Sequence, residues 1–152
     1  MSAVLSLGSN LGDRRGHLAA ALQVLEPTAV SPLYETAPVG GVAQDDFLNL
    51  VVLVPWDAVE AWGRAQRAER AAGRTRDVRW GPRTLDVDVV VADGLVPPGL
   101  VLPHPRAHER AFVLAPWLDV DPAAALPQGA VADLLAALPD QGARRAVDQV
   151  LP

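Results

Sequence analysis

The chain has 152 residues and a formal net charge of -5, and all 13 of its basic residues are arginine. An acidic surface repels phosphate backbones and anionic membranes, so we do not expect wholesale binding to either. The absence of lysine excludes a P-loop lysine and a Schiff-base lysine. The absence of cysteine excludes disulfides, a thiol nucleophile and a thiolate zinc site.

The length predicts a single domain over residues 1–152, large enough to bury roughly 68–70% of its unfolded surface. The chain passes directly into an apolar stretch at residues 3–7, without a basic segment or a long apolar run. We therefore expect neither a signal peptide nor a membrane span, and a cytoplasmic location.

The first predicted elements are a strand, a turn and a helix. Residues 3–7 form the strand, which runs into a Gly-rich turn over residues 8–12. The helix that follows ends at Pro27. Its candidate caps are Ser9, Asn10 and Asp13. The turn lacks the G-x-G-x-x-G pattern, so a tight turn with a cap is a better interpretation than a phosphate loop.

Two further strands are predicted before the middle of the chain. A strand over residues 29–34 is interrupted by Pro32, which confines it to an edge or a bulge. The next strand, over residues 47–54, is apolar except for Asn49. A buried amide needs partners, so Asn49 either serves a neighbouring backbone group or reads a ligand.

A second helix is predicted from the cap formed by Asp57 and Glu60 to about residue 72, with Gly73 as its stop. Gln66 and Glu69 share one face of this helix with Trp62 and continue that face towards the arginine-rich stretch that follows. This polar pair belongs either to a site or to salt bridges with nearby arginines.

Two carboxylates lie close together on the strand predicted over residues 84–91. Because side chains alternate along a strand, Asp86 and Asp88 share one face, with Cα atoms about 6.5–7 Å apart. The opposite face carries Leu85, Val87, Val89 and Val91. Burying like charges together is costly unless a cation compensates them. Mg²⁺ takes oxygen ligands and commonly shares them with substrate phosphates.

Four arginines precede these carboxylates: Arg74, Arg76, Arg79 and Arg83. An arbitrary D-x-D is more often solvated, or paired with a neighbour such as Arg83. Guanidinium groups suit phosphate oxygens, however, and their presence beside two carboxylates favours phosphoryl transfer. Positioning and charge neutralisation supply most of the catalysis in that chemistry.

The remaining predicted elements are two helices and a strand. The first helix begins at residue 107 or 108 and ends at 118, the second spans 131–138, and the strand lies near 147–150. No chemistry is evident after residue 119.

The order βαββαβ, followed by C-terminal pieces, predicts an α+β fold: a ferredoxin-like sandwich with additional C-terminal helices. We expect the first strand and the Asp86 strand to lie centrally, with Asn49 on a neighbouring strand. The fold by itself does not set the function.

Four blocks of the sequence resemble one enzyme family. They are residues 79–90 (RWGPRTLDVDVV), 7–12 (LGSNLG), 34–38 with 47–49 (YETAP and FLN), and 103–112 (PHPRAHERAF). Together they resemble the 6-hydroxymethyl-7,8-dihydropterin pyrophosphokinases of folate biosynthesis. The blocks occur in the family's order, and the signature is long and specific.

The resemblance implies an ATP-dependent transferase that moves the β,γ-diphosphate of ATP, as one unit, to the hydroxymethyl group of the reduced pterin. The products would be AMP and the pterin diphosphate. It also implies that Asp86 and Asp88 hold two Mg²⁺ ions with ATP, the geometry of two-metal catalysis. We further expect a monomer without nucleic-acid or membrane partners.

The resemblance also assigns site residues. The catalytic residues would be Arg74, Arg83, Asp86 and Asp88. ATP would contact Gln66, Glu69, Arg74, Arg76, Arg79, Trp80, Arg83, His104 and Arg110. The pterin would contact Gly8, Thr36, Ala37, Pro38, Val39, Phe47, Asn49, Trp80 and Phe112. Clamping between Phe47 and Phe112, with an amide on the polar edge, suits a flat heterocycle rich in hydrogen-bond donors.

Two other functions remain possible from the residues alone. A nucleotidyl transferase with a palm-like sheet also places two aspartates on one strand, although the acidic composition argues against it. A ligand-binding regulatory module would use the same aspartates and arginines only as ion pairs. Release of AMP from ATP in the presence of the pterin separates the enzyme from the binding module.

Overall fold

The computed structural model describes residues 2–37, 46–73, 84–146 and 151. Its strands are β1 (Ala3–Ser9), β2 (Ala29–Val30), β3 (Tyr34–Thr36), β4 (Phe47–Val54), β5 (Asp86–Ala92), β6 (Ala125–Leu126), β7 (Gly129–Ala130) and β8 (Arg144–Arg145). Its α-helices are α1 (Arg14–Leu25), α2 (Ala58–Ala71), α3 (Ala111–Val120) and α4 (Val131–Ala137). The predicted α+β class is confirmed.

One antiparallel sheet organises the described residues, with strands in the order β5-β1-β4-β3-β8 and β2 beside β4. Strand β1 lies centrally, as predicted. The expectation of a central Asp86 strand is wrong, because β5 pairs with β1 alone among the described strands. Its outer edge meets the chain near His104, whose backbone N–H donates to Val90 O at 2.8 Å.

Each face of the sheet packs against helices. Leu5, Leu50 and Val87 lie on the face that α1 and α2 cover. Val51 and Val90 lie on the opposite face, where α3 and the segment before α4 complete a second cluster. Alternation along each strand produces this division, and it leaves Ser6, Asn49, Asp86 and Asp88 on the α3 face.

A bulge alters the predicted alternation at the end of β5. The register with β1 shifts between Val4 and Leu5, so that Val4 pairs with Val91 but Leu5 pairs with Val89. Val91 therefore packs against the second cluster, whereas Leu85 belongs to the first. The prediction that these two side chains share a face is wrong, because a bulge inserts one residue into the two-residue period.

The helix caps agree with the predictions at three positions. The Asp13 carboxylate accepts from Gly16 N at 3.1 Å, so Asp13 is the cap of α1. The Asp57 carboxylate accepts from Glu60 N at 3.0 Å and caps α2. After α2, Gly73 adopts a φ of 67°, a conformation that glycine tolerates without strain.

Other boundaries differ from the predictions. The strand expected over 29–34 is two strands, separated around Pro32 because proline cannot donate to a ladder. The helix expected from 107 to 118 is a 3₁₀ turn (Ala107–Glu109), an extended Arg110, and then α3. Helix α4 agrees with its prediction, and the strand expected near 147–150 lies outside the described residues. None of the described helices is long and apolar enough to cross a bilayer.

Candidate active site

Three neighbouring strands bring Gly8, Asp86 and Asn49 into one row. Gly8 pairs with Asp86 of β5 on one side and with Asn49 of β4 on the other. A Cβ atom at Gly8 would lie 2.8 Å from Asn49 Oδ1 and 3.4 Å from Phe47 Cδ1. A side chain at residue 8 would collide with the Asn49 amide, so this arrangement requires glycine there.

The two carboxylates project from one face of β5, as predicted. Asp88 pairs with Ser6, one step along the strands from the pair of Asp86 with Gly8. Both carboxylates are half-buried, and both make contacts with other groups of the chain. They form the acidic end of the row.

Basic side chains from the segment after β5 face these carboxylates. Burial lowers the pKa of His104, and Arg110 and Arg106 add to this effect, while Asp88 opposes it. Burial also lowers the pKa of Arg110, against the attraction of Asp88 and Asp86. Arginine stays protonated in spite of such a shift, so Arg110 is a cation at neutral pH.

His104 is held by its own backbone and by a neighbour. Its N–H donates to Val90 O, and its Nδ1 accepts from Arg106 N at 3.2 Å. With a lowered pKa, the ring is neutral at neutral pH, and the hydrogen-bond network assigns its proton to Nε2. His104 therefore offers one donor next to Asp88 without adding a charge.

The donor set fits Mg²⁺. Asp86 and Asp88 supply oxygen ligands from one face of one strand. Among the described residues, no group of three or more histidine, aspartate or glutamate side chains could hold a metal ion. A site with few protein ligands is typical of Mg²⁺, which completes its shell with water and phosphate oxygens.

A buried polar pair forms the other end of the row. Asn49 Nδ2 donates to Thr36 Oγ1 at 2.7 Å, and both side chains are almost inaccessible to solvent. Among the described residues, the partner of Asn49 is thus a side-chain hydroxyl on β3 rather than the backbone group that the sequence allowed. This bond orients the amide so that its Oδ1 borders the space above Gly8.

Two aromatic rings lie on this face of the sheet. Phe47 is half-buried beside Gly8, and Phe112, at the start of α3, packs against the second cluster. The Arg110 guanidinium lies 5.5 Å from the centroid of the Phe112 ring, within the range of a cation–π interaction. The clamp of a pterin between the two rings stays a prediction.

The two polar residues of α2 have different surroundings. Glu69 Oε2 accepts from Val87 N at 2.8 Å, so Glu69 anchors the helix to the outer edge of β5. Gln66 is exposed, and so is Ala37 beyond the end of β3. Contacts of these residues with a ligand stay predictions. Seven assigned residues lie outside the described part of the chain: Pro38, Val39, Arg74, Arg76, Arg79, Trp80 and Arg83.

The sequence did not single out two residues of this face. Ser6 is buried and pairs with Asp88 across the two strands. The charge of Arg106 lowers the pKa of both His104 and Arg110. The alternation of β1, with Ser6 and Gly8 on one face, could have identified the first. Arg106 could have been found from its place in the Pro-His-Pro-Arg run.

Paired carboxylates facing arginine and histidine are groups that metal-dependent phosphate transfer uses, and a buried amide beside two rings suits a flat, polar ligand. The model of the 7,8-dihydro-6-hydroxymethylpterin-pyrophosphokinase family matches residues 4–122. The chain belongs to this family. The resemblance read from the four sequence blocks is thereby confirmed.

Similar proteins from bacteria carry the name 2-amino-4-hydroxy-6-hydroxymethyldihydropteridine pyrophosphokinase. One from Mycobacterium tuberculosis is 49% identical over an alignment 139 positions long, and the alignment covers 81% of this chain and 74% of that protein. One from Bacillus subtilis is 42% identical over 131 residues, covering 78% and 77%. One from Pseudomonas aeruginosa is 41% identical over 155 residues, covering 93% and 94%.

Solved structures show the same fold at low identity. The wild-type HPPK-DHPS of Plasmodium falciparum, crystallised with SDX-DHP, aligns with a TM-score of 0.65 at 16% identity. The alignment covers 89% of this chain, which spans 44% of the Plasmodium chain. At this identity the likeness concerns the fold alone.

Proposed function

We propose that the row from Asp86 to Asn49 is the place where this chain binds ATP and a reduced pterin side by side for the transfer. Family membership makes the chain a transferase, an ATP-dependent pyrophosphokinase of folate biosynthesis. The β,γ-diphosphate of ATP would pass as one unit to the hydroxymethyl group of 6-hydroxymethyl-7,8-dihydropterin. The products would be AMP and the pterin diphosphate.

The pairing of Gly8 with both Asp86 and Asn49 carries this proposal. Neighbouring strands lie about 4.7–4.9 Å apart, which sets the carboxylate strand and the amide strand roughly 10 Å apart across the glycine. That separation suits a heterocycle over Asn49 whose hydroxymethyl arm reaches a triphosphate bound near Asp86 and Asp88. The missing Cβ of Gly8 leaves room for the arm.

In the transfer, the hydroxyl oxygen of the pterin forms a bond to the β-phosphorus, and the bond from that phosphorus to the oxygen of the α-phosphate breaks. The hydroxyl proton is released, and AMP leaves with the electron pair. Mg²⁺ held by Asp86 and Asp88 would neutralise the charge of the triphosphate. We propose two ions, as the family resemblance implies.

Each protein group has a separate part in this proposal. Arg110 and the Nε2–H of His104 would bind phosphate oxygens, because both lie near the carboxylates. Asn49, oriented by Thr36, would read the polar edge of the pterin between Phe47 and Phe112. The transition-state role of Arg74 and Arg83, and the other ATP and pterin contacts assigned from the sequence, are part of the same proposal.

Four further expectations accompany it. The ferredoxin-like assignment is supported by the antiparallel sheet and by the order βαβββαβ through β5, in which β2 and β3 replace one predicted strand. The single domain, the monomeric state and the cytoplasmic location stay predictions. Family membership argues against both a palm-like nucleotidyl transferase and a purely regulatory module.

Charge removal at the carboxylates tests the proposed site. Asp86→Asn and Asp88→Asn keep the shape of each side chain, so both proteins should fold with wild-type circular dichroism. Each should lose at least about 10²–10³ in the rate of Mg²⁺-dependent AMP formation, the usual cost of a lost charge-stabilising group. Asp133→Asn, exposed on α4, is the matched control and should be fully active. Near-wild-type rates in both site variants would refute the metal role.

A further inference from the structure

A short segment near the C-terminus contacts both sides of the candidate site. Residues 141–145, here named the C-terminal strap, lie beyond the stretch that the family model matches. The strap includes β8, which pairs with β3 through Tyr34 and Glu35. The sequence showed no chemistry in this part of the chain.

Gln141 supplies the cap that α3 lacks in its own sequence. Arg110 is the N-terminal boundary residue of α3, and its side chain makes no capping hydrogen bond. Gln141 Oε1 accepts from Ala111 N at 2.9 Å, and Gln141 Nε2 donates to Glu109 O at 2.8 Å. The Gln141 amide thus holds Glu109 and Ala111, the residues on either side of Arg110. Phe112 is the next residue after Ala111.

Arg144 forms ion pairs with one residue before and one residue after the stretch 37–45. Its Nη2 lies 2.8 Å from Glu35 Oε2 and 3.2 Å from Asp46 Oδ2. Glu35 precedes Thr36, and Asp46 precedes Phe47. The side chain of Arg144 is 57% exposed, so these pairs contribute little to stability and act mainly on position.

Arg145 connects β3 with α3. Its guanidinium pairs with Asp119 of α3 and donates to the hydroxyl oxygen of Tyr34. Tyr34 in turn donates to Asp119. The strap therefore contacts the sheet wall that carries Thr36 and also the helix that begins beside Arg110.

We propose that Gln141 is a positioning residue for the pyrophosphokinase reaction. Through Glu109 and Ala111 it fixes Arg110 and Phe112 relative to the wall that carries Thr36, Phe47 and Asn49. The reason is geometric: Arg110 is extended between a 3₁₀ turn and a helix, and no hydrogen bond of its own side chain caps that helix. This inference rests on the proposed function.

The test compares Gln141→Met, which keeps the length of the side chain but loses both hydrogen bonds, with Gln128→Met. Gln128 is exposed in the turn between β6 and β7, so its variant controls for the loss of a surface amide. Two quantities are measured well below the melting temperature: the hydrogen exchange of the Ala111 amide, and kcat and KM for each substrate.

In Gln141→Met we expect faster exchange at Ala111 and a fall of about 10- to 100-fold in kcat/KM for the pterin, the scale of a misplaced binding group. Gln141→Glu keeps the acceptor for Ala111 N, so it should recover part of the protection and part of the rate. Gln128→Met should match the wild type in both quantities.

Different results overturn different statements. If exchange is faster but kcat/KM is unchanged, Gln141 is a structural cap only. If exchange at Ala111 is unchanged, the Gln141 amide does not hold the residues on either side of Arg110. Either result overturns the positioning role while the proposed function stands. If the wild-type chain released no AMP, the proposed function would fail, and the positioning role with it.

Discussion

At the scale of the residue, Tyr34 is distinctive because it is the only tyrosine of the chain. It is buried on β3, and its hydroxyl donates to Asp119. Burial raises the pKa of Tyr34, and the hydrogen bond to Asp119 adds to this effect, while Arg145 opposes it. Because the chain has neither lysine nor cysteine, no other side chain normally titrates between about pH 9 and 12.

Because Tyr34 titrates by itself in this range, we expect a single loss of stability at alkaline pH. The folded pKa of Tyr34 is raised above the unfolded value of about 10, so the unfolded chain loses the proton first and the free energy of unfolding falls as the pH rises above 10. Absorbance at 295 nm should show one transition with a midpoint above 10. Tyr34→Phe should remove both the transition and the alkaline loss. A midpoint at or below 10 in the folded protein would contradict the burial argument.

At the scale of the element, the last carbonyl groups of α1 accept hydrogen bonds from side chains in other parts of the chain. It has no basic residue in its last turn, and Glu26 closes it in a left-handed conformation. Trp56 Nε1 donates to Leu25 O at 2.8 Å, and Arg64 Nη1 donates to Val24 O at 2.9 Å. The Arg64 guanidinium also lies 3.9 Å from the centroid of the Trp56 ring and pairs with Glu26. Arg64 of α2 thus holds the end of α1.

Two arginines of α2 provide a matched comparison. Arg64→Ala should lower the free energy of unfolding by about 1–3 kcal/mol, since it leaves a helix-terminal carbonyl and a ring without their partner. Within the described part of the chain, Arg67 forms an ion pair with Glu60 alone, at 3.7 Å, and its side chain is 52% exposed. Arg67→Ala should therefore cost at most about 0.5 kcal/mol. Urea unfolding of both variants measures this, and equal losses would show that the contacts of Arg64 with α1 contribute nothing.

At the scale of the whole molecule, one sheet separates two apolar clusters. Leu50 is fully buried under α1 and α2, and Leu114 is fully buried on the opposite face. Strand β4 contributes alternate residues to both clusters. Because the two clusters share the same strands, neither should melt by itself.

We therefore expect one cooperative unfolding transition, as the prediction of a single domain requires. Leu50→Ala and Leu114→Ala should each lower the free energy of unfolding by about 2–5 kcal/mol, the usual cost of a cavity in a core. Leu95→Ala is the control, because Leu95 is 87% exposed. Far-UV circular dichroism and tryptophan fluorescence should give coincident curves in all three variants. A second transition in either core variant would divide the chain into two units.

Features that depend on residues close together in the chain could be predicted from the sequence. Strand β4 has the bounds that its apolar run predicted, and the caps at Asp13 and Asp57 are in place. The shared face of Asp86 and Asp88 followed from alternation alone. The break at Arg110 was not predicted, because the cap of α3 comes from Gln141, thirty residues further along the chain.

The sequence by itself determined the family and the α+β class, and it supplied the residues of the candidate site, because motifs and alternation are local properties. Tertiary structure decided which strands lie side by side. Only the register of β1 with both neighbours places Gly8 between Asp86 and Asn49. Only the return of the chain as β8 brings Gln141 to α3. Such contacts arise because strand pairing and packing join segments that no local pattern links.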